Sequence, residues 1–238
     1  MQVPGWLVIA VLLCMGGLVR AQTGATSSEK QDWEQRMAAR RAKLQSENGP
    51  GTDAALRDQL LKMGDEDQAA RGLANGKPID PKKLKLAPDL DKIDARLTAE
   101  LKQIVAAHGW PAISLVGMEA SNAAMLILIH SADHAWQREL LPTLEQLAAM
   151  DKIDGSALAL VVDKELLAAG KPQRFGTQFK FVGDQMQMYA VEDPSGLGAR
   201  RAQMLLPPMD VYEQLMTGTY HKKLLPGVAA PEPAGPVK

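Results

Sequence analysis

One segment, residues 119–136, constrains the fold more than any other part of the chain. Residues 123–129 form an unbroken apolar run, and a helix through such a run is apolar on every side, so it belongs in a core. His130 follows the run, and counting back by helical steps places Leu126 and Asn122 on its side of the helix. The segment therefore predicts a buried central helix with polar side chains on one face.

Hydrophobic residues at helical spacing predict most of the other elements. Leu56, Leu60 and Met63 form one such stripe, and residues 90–108 carry a second. Leu, Ala and Met dominate the apolar residues of the chain, which favours helix over sheet. Residues 157–162 fit a strand or a helix by period, and the leucines that follow them favour a helix.

The clearest β-structure is predicted at residues 177–182 and 185–191. These segments flank Gly183-Asp184, a dipeptide suited to a tight turn. Together with the helical stripes, they predict a mainly α fold: a helical domain around one buried central helix, with a small antiparallel β-hairpin. Pro142 is expected to break a helix or to begin the next one.

The amino-terminal residues indicate a targeting signal. Residues 7–19 are an apolar run, and Val19-Arg20-Ala21 fits a small-residue cleavage site before Gln22. A retained membrane anchor is the alternative, although a span needs ~20 apolar residues. We therefore predict a signal peptide at residues 1–21, a periplasmic or secreted protein, and no stable membrane insertion after cleavage. Cleavage would also remove Cys14, the sole cysteine, and with it any disulfide or thiol chemistry.

Composition divides the rest of the chain into three predicted regions. They are a polar leader with an exposed helix at residues 22–52, a single helical core domain at residues 53–218, and a disordered Pro- and Ala-rich tail at residues 219–238.

The leader helix is predicted over residues 29–47. Its apolar positions, Trp33, Met37 and Leu44, make too thin a stripe for a core, so a solvated helix is expected. A helix that binds a protein partner is the alternative. Basic and acidic residues nearly balance at 27 and 28, so no nucleic-acid partner is predicted.

Several polar motifs occur in a characteristic order along the chain. They are Met63 with Asp67-Gln68 and Arg71, Gly109-Trp110-Pro111, His130 after the apolar run, Asp163, the block from Gln173 to Gln178, Glu192-Asp193, and Arg200-Arg201.

Over residues 56–212 this order resembles a bacterial family known as domain of unknown function 6624. Phe175 and Lys164 stand where Tyr and Arg are common in that family. The resemblance implies that these polar positions recur as a set. It implies no activity, because none is established for the family.

The polar positions define a candidate site around His130. In one hypothesis His130 acts as a general acid or base, oriented by Asp133 or Asp67. The side chains expected to bind a polar or anionic small molecule are Asp67, Gln68, Arg71, Gln173, Thr177, Gln178, Arg200 and Arg201. If the hypothesis holds, His130, Gln178 and an arginine should converge in an open cleft.

Two other interpretations assign the same residues differently. His130 is a core histidine in one of them, and the glutamines bond backbone groups at the hairpin. In the other, the protein is a non-catalytic periplasmic interaction module that uses the leader helix and the hairpin methionines. The sequence leaves open whether the chain is an enzyme.

Asp67 and Arg71 lie four residues apart, on the continuation of the first stripe. They are predicted either as a buried pair or as an ordinary surface pair, which contributes about 0.3–0.5 kcal/mol. His130, Asp133 and His134 superficially resemble a helical zinc motif but lack an evident third ligand. No phosphate loop or dinucleotide fingerprint occurs. We therefore predict neither a metal nor a cofactor.

Overall fold

The computed structural model describes residues 27–73 and 86–231. The predicted signal peptide at residues 1–21 lies outside the described residues, as does the end of the predicted tail at residues 232–238. The elements follow one another as α1 (Ser27–Asn48), α2 (Ala54–Ala70), α3 (Leu90–His108), α4 (Ile113–Val116), α5 (Met118–His130), α6 (His134–Ala149), α7 (Gly155–Ala168), β1 (Phe179–Val182), β2 (Gln185–Met188), α8 (Leu197–Gln203), α9 (Met209–Tyr220) and β3 (Lys223–Leu224).

Helices dominate this order, so the predicted mainly α class is confirmed. Within the described ranges, none of the helices is both long and apolar enough to cross a membrane.

Helix α5 lies inside the domain and packs against α2, α3, α4 and α7. Most of its residues are buried, including the run from Ala124 to Ile129. It lies close to α2 at Gly64, where a Cβ atom would lie 2.8 Å from the Cβ of Ala123. Glycine at this position therefore lets the α2 backbone pack against the Ala123 side chain of α5. This contact places α5 directly beside the polar end of α2.

Helix α5 ends at His130 instead of continuing to Trp136. Ser131 follows in an extended conformation, and Asp133 caps α6 by accepting a hydrogen bond from Trp136 N at 3.0 Å. His130 and Asp133 therefore lie on either side of a helix break.

The expectation that Pro142 ends or begins a helix is wrong. Pro142 lies inside α6, where a proline costs about 3 kcal/mol. The buried Leu140 and Leu144 flank it on the packed face of the helix. The contacts of that face with α7 outweigh the local cost.

The expectation of a solvated leader helix is wrong for one face of α1. Leu44 is 0% exposed and clusters with Ile113 and Met118. Trp33 Nε1 donates to the carbonyl oxygen of Leu205 at 2.9 Å, and Lys43 Nζ pairs with Asp151 at 2.9 Å. Few apolar residues are sufficient here because α4 and α5 supply the other half of the contact.

The expectation of a disordered tail from residue 219 is wrong as far as Ala229. Strand β3 pairs in parallel with β2, which itself pairs antiparallel with β1 so that Phe179 lies opposite Met188. Beyond β3, Ala229 N donates to Met188 O at 2.8 Å, and Ala190 N donates to Ala229 O at 2.9 Å. The tail thus adds backbone hydrogen bonds along the edge of the hairpin.

Candidate functional site

Three consecutive charged residues organise the polar interior from helix α7. Asp163, Lys164 and Glu165 are only 0%, 8% and 3% exposed, although the helix around them is apolar. Successive side chains on an α-helix point about 100° apart. Each of the three therefore contacts a different segment of the domain.

Asp163 holds the turn that precedes the hairpin. Its carboxylate accepts hydrogen bonds from the backbone N–H groups of Arg174 at 2.7 Å, Phe175 at 2.9 Å and Thr177 at 2.9 Å. The Thr177 hydroxyl donates a fourth at 2.8 Å. Burial raises the pKa of Asp163, while these four donors oppose the rise. The carboxylate therefore accepts the hydrogen bonds that water would accept if this turn were exposed to solvent.

The two glutamines of this segment bond to the segment itself. Gln173 Nε2 donates to the carbonyl oxygens of Tyr189 at 2.8 Å and Gln178 at 3.2 Å, and its Oε1 accepts from Gln178 N at 2.9 Å. Gln178 Nε2 donates to Thr177 Oγ1 at 3.1 Å. The Gln173 amide thus caps backbone groups at the hairpin, as the structural interpretation predicted, whereas the Gln178 amide bonds a side-chain hydroxyl.

Arg200 and Arg201 donate hydrogen bonds to the turn that Asp163 holds. Arg201 Nη1 donates to Phe175 O at 2.6 Å, Arg201 Nε donates to Pro207 O at 2.8 Å, and its guanidinium lies 4.7 Å from the centre of the Tyr212 ring. Arg200 Nε donates to Arg174 O at 2.9 Å. Most of the donors that would clamp an anionic ligand are thus occupied by protein carbonyls.

A second set of side chains, the His130 cluster, is buried or partly buried and joins helices α2, α3 and α5. It consists of Asp67, Gln68, Arg71, Asp94 and His130. Asp67 Oδ1 lies 2.8 Å from His130 Nδ1 and 2.9 Å from Arg71 Nη1, and Gln68 Nε2 donates to Asp67 Oδ2 at 2.8 Å. Arg71 Nη2 donates to both oxygens of Asp94, at 2.8 Å and 2.9 Å. Asp67 and Arg71 are therefore the predicted buried pair.

Lys164 closes the end of α5 beside this cluster. Its Nζ donates to the carbonyl oxygens of Ile129 at 2.6 Å and Ser131 at 2.9 Å, the two residues that flank His130. Burial lowers the pKa of Lys164 to about 8. Lys164 thus fixes the backbone that carries His130.

Two nitrogens of the His130 cluster have no hydrogen-bond partner in the described part of the chain. They are His130 Nε2 and Arg71 Nε, and both are shielded from solvent. Burial lowers the pKa of His130, against the opposing effect of Asp67, so the ring is neutral at pH 7. A neutral imidazole with one nitrogen bonded and the other unpaired can accept a hydrogen bond or a proton.

Asp133 does not orient His130, which corrects one of the two predicted arrangements. Its carboxylate caps α6 and pairs with Lys102, and Asp67 holds His130 instead. His134, four residues further on, pairs through Nδ1 with Glu165 at 2.5 Å. The two histidines are therefore held by carboxylates from different helices.

The predicted site residues form two closed sets instead of one open cleft. His130 is 5% exposed, and Gln178 and Arg201 are 4% and 1% exposed. Each of these three side chains makes its hydrogen bonds within its own set.

A cavity of about 280 Å³ lies elsewhere, between α1, α6, α7 and α8, and its lining includes Arg40, Glu145, Asp154, Ser156 and Gln203. Among the residues that the structure describes, no three His, Asp or Glu side chains are placed to hold a metal ion.

The sequence interpretation missed three residues: Asp94, which pairs with Arg71, Lys164, which donates to the backbone beside His130, and Glu165, which pairs with His134. One signal was present. Asp163, Lys164 and Glu165 interrupt an apolar helix, and three charges in a row cannot all face water from a buried helix. Asp94 gave no such signal, since it follows Ile93 on an ordinary amphipathic helix.

The fold and the His130 cluster thus define a mainly helical domain with a buried polar centre. Residues 54–225, more than half of the chain, match the model of a family of unknown function, DUF6624, and the chain belongs to that family. No curated protein and no solved structure matches the chain. Helix α1 lies before the matched residues, whereas the whole His130 cluster lies within them.

Proposed function

We propose that the chain is an exported bacterial protein that binds a small polar ligand at His130. The unpaired Nε2 of this residue carries the proposal. An unsatisfied buried polar atom costs about 1–3 kcal/mol, and a hydrogen bond to a ligand would remove that cost. Asp67 orients the ring through Nδ1 in the way that a carboxylate orients a catalytic histidine.

Export is part of the proposal and is supported by the amino-terminal sequence. The apolar run at residues 7–19 and the small residues before Gln22 have the order of a secretory signal. A periplasmic or secreted protein would meet small polar molecules outside the cytoplasm. The ligand site itself does not depend on where the chain is located.

Ligand access requires a local opening at the end of α5, because Nε2 is shielded from solvent. Hydrogen bonds at functional sites are often completed only in the ligand complex, so a closed unliganded geometry is compatible with binding. The α5–α6 break at Ser131 and the hydrogen bonds of Lys164 are the local structures that must yield.

Diethyl pyrocarbonate, which modifies unprotonated imidazole, tests whether His130 becomes accessible. We expect slow modification of His130 in the native protein at neutral pH, detected by peptide mass spectrometry, and faster modification of the exposed His108. His108 in the same digest is the control for the reagent, and an unchanged circular dichroism spectrum is the control for folding. Complete modification of His108 with none of His130 would contradict the proposal.

The alternative function, a non-catalytic interaction module that uses α1, is supported by the charged outer face of that helix. Arg36, for example, has a side chain that is 47% exposed. Because Trp33 and Leu44 pack against the domain, deleting them would disturb the fold as well as any partner contact. We therefore expect Arg36→Glu to weaken capture of a periplasmic partner, with Lys62→Glu on α2 as the matched control. Equal capture by both variants would count against this function.

A further inference from the structure

The contacts of Asp67 determine which nitrogen of His130 carries the proton. Asp67 Oδ2 accepts from the Gln68 amide at 2.8 Å, and Oδ1 accepts from the Arg71 guanidinium at 2.9 Å. Both oxygens of Asp67 thus already accept from N–H groups, which have no lone pair to offer in return. His130 Nδ1, which lies 2.8 Å from Oδ1, must therefore be the donor.

Burial keeps the other nitrogen unprotonated, although Asp67 and Asp94 favour the protonated ring. Asp67 and Arg71 face the ring from α2, Asp94 contributes from α3, and Lys164 holds the adjoining backbone from α7. Asp94 is bidentate with Arg71, so its charge is largely compensated. Burial, the largest influence on the pKa of His130, disfavours the imidazolium, so the unpaired Nε2 presents a lone pair.

We infer that the ligand presents a hydroxyl group to His130 Nε2, and that the ligand is a neutral hydroxyl compound and not an anion. This inference rests on the proposed function. A carboxylate or phosphate oxygen would place its own lone pairs against that of Nε2. A hydroxyl donates to Nε2 and keeps lone pairs for a second donor, and Arg71 Nε is the other unpaired nitrogen of the cluster.

The occupied arginines support the same ligand class. Arg71 donates to Asp67 and Asp94, Arg201 donates to the carbonyls of Phe175 and Pro207, and Arg200 donates to Arg174 O. A bidentate clamp on a carboxylate or phosphate needs two free donors on one guanidinium. In the His130 cluster, Arg71 has only its single Nε–H unpaired, which suits a hydroxyl oxygen. Arg201 Nη2 is also unpaired, but it belongs to the set of side chains around the Asp163 turn.

Nitrogen-15 NMR of the histidine rings tests the inference directly. The chain has 4 histidines, so His130→Gln assigns the signals by loss of a peak. If that variant does not fold, His108→Gln, His134→Gln and His221→Gln assign it by elimination. At neutral pH we expect His130 as the Nδ1–H tautomer, with Nε2 in the range of an unprotonated ring nitrogen. Asp67→Asn should increase the Nε2–H form, because an asparagine amide can donate to Nδ1.

Four probes at matched ionic strength then test the ligand class: glycerol, glucose, acetate and phosphate. We expect a saturable shift of His130 Nε2 with glycerol or glucose and none with the two anions. A protonated Nε2, a response only to anions, or no response to any probe would each overturn the inference.

The proposed function fails separately from this inference. It fails if diethyl pyrocarbonate never reaches His130. If His130 is modified while Nε2 is protonated or responds only to anions, the site is accessible and only the ligand class is wrong.

Discussion

Replacing Asp163 with alanine is expected to lower the free energy of unfolding by about 4 kcal/mol, measured by urea denaturation. The carboxylate is fully buried and accepts from the N–H groups of Arg174, Phe175 and Thr177 and from the Thr177 hydroxyl. Removing the acceptor leaves these donors unsatisfied in the interior, where each costs about 1–3 kcal/mol before partial relaxation. The loss should also free the turn that positions Gln173 and Gln178.

The amide variant Asp163→Asn separates hydrogen bonding from packing. Its Oδ1 can still accept from the Arg174 and Phe175 N–H groups, but its NH₂ group faces the two donors of Thr177. We expect a loss of about half that of the alanine variant. Asp58→Ala, at a side chain that is 74% exposed on α2, is the control and should unfold like the parent chain. An alanine variant as stable as the parent would contradict the role assigned to Asp163.

Local sequence patterns were sufficient to predict which side chains are buried where hydrophobic residues repeat along one helix. Extending the stripe of Leu56, Leu60 and Met63 by helical steps reaches Asp67 and Arg71, and both side chains are 1% exposed. The same periodicity predicted the mainly α class. Such inferences succeed because the helix itself sets which side chains share a face.

Contacts between distant segments account for the errors in the fold. Leu44 is buried because Ile113 and Met118 meet it, and Ala229 is ordered because it bonds with the backbone beyond β2. Neither partner can be recognised from the composition around the residue. Pro142 stays helical for the same reason, since tertiary packing outweighs a local preference.

The roles of the polar site residues could not be predicted from the sequence for a different reason. The sequence identified Gln173, Gln178 and Arg201 as unusual, but a glutamine that binds a ligand and one that caps a backbone carbonyl have the same pattern. Gly176 turns the chain at a φ of 67°. Within that turn Gln173 meets backbone groups and Gln178 meets the Thr177 hydroxyl, while Arg201 reaches Phe175 O from α8. Whether a polar side chain is free thus depends on the turn, which the side-chain chemistry alone does not specify.

Replacing Arg71 with methionine is expected to cost about 3–5 kcal/mol of unfolding free energy at pH 7, the typical cost of breaking a buried ion pair from one side. Arg71 is the only cation in direct contact with both Asp67 and Asp94 among the described residues. Methionine has a similar length and is apolar, so the loss would come mainly from the two uncompensated carboxylates. Arg57→Met, at a more exposed arginine of the same helix, is the control.

The pH dependence of this variant distinguishes lost charge compensation from lost packing. Burial raises the pKa of Asp94, and Arg71 opposes that rise, so the pKa should climb further without the guanidinium. A carboxyl whose folded pKa exceeds its unfolded value binds more protons when folded, and its folded state therefore gains stability as pH falls. We expect Arg71→Met to regain part of its lost unfolding free energy as the pH falls from about 7 to 5. The double variant that also carries Asp94→Asn should show the same gain in stability already at about pH 7. A loss independent of pH, and unchanged by Asp94→Asn, would mean that packing and not charge is what Arg71 contributes.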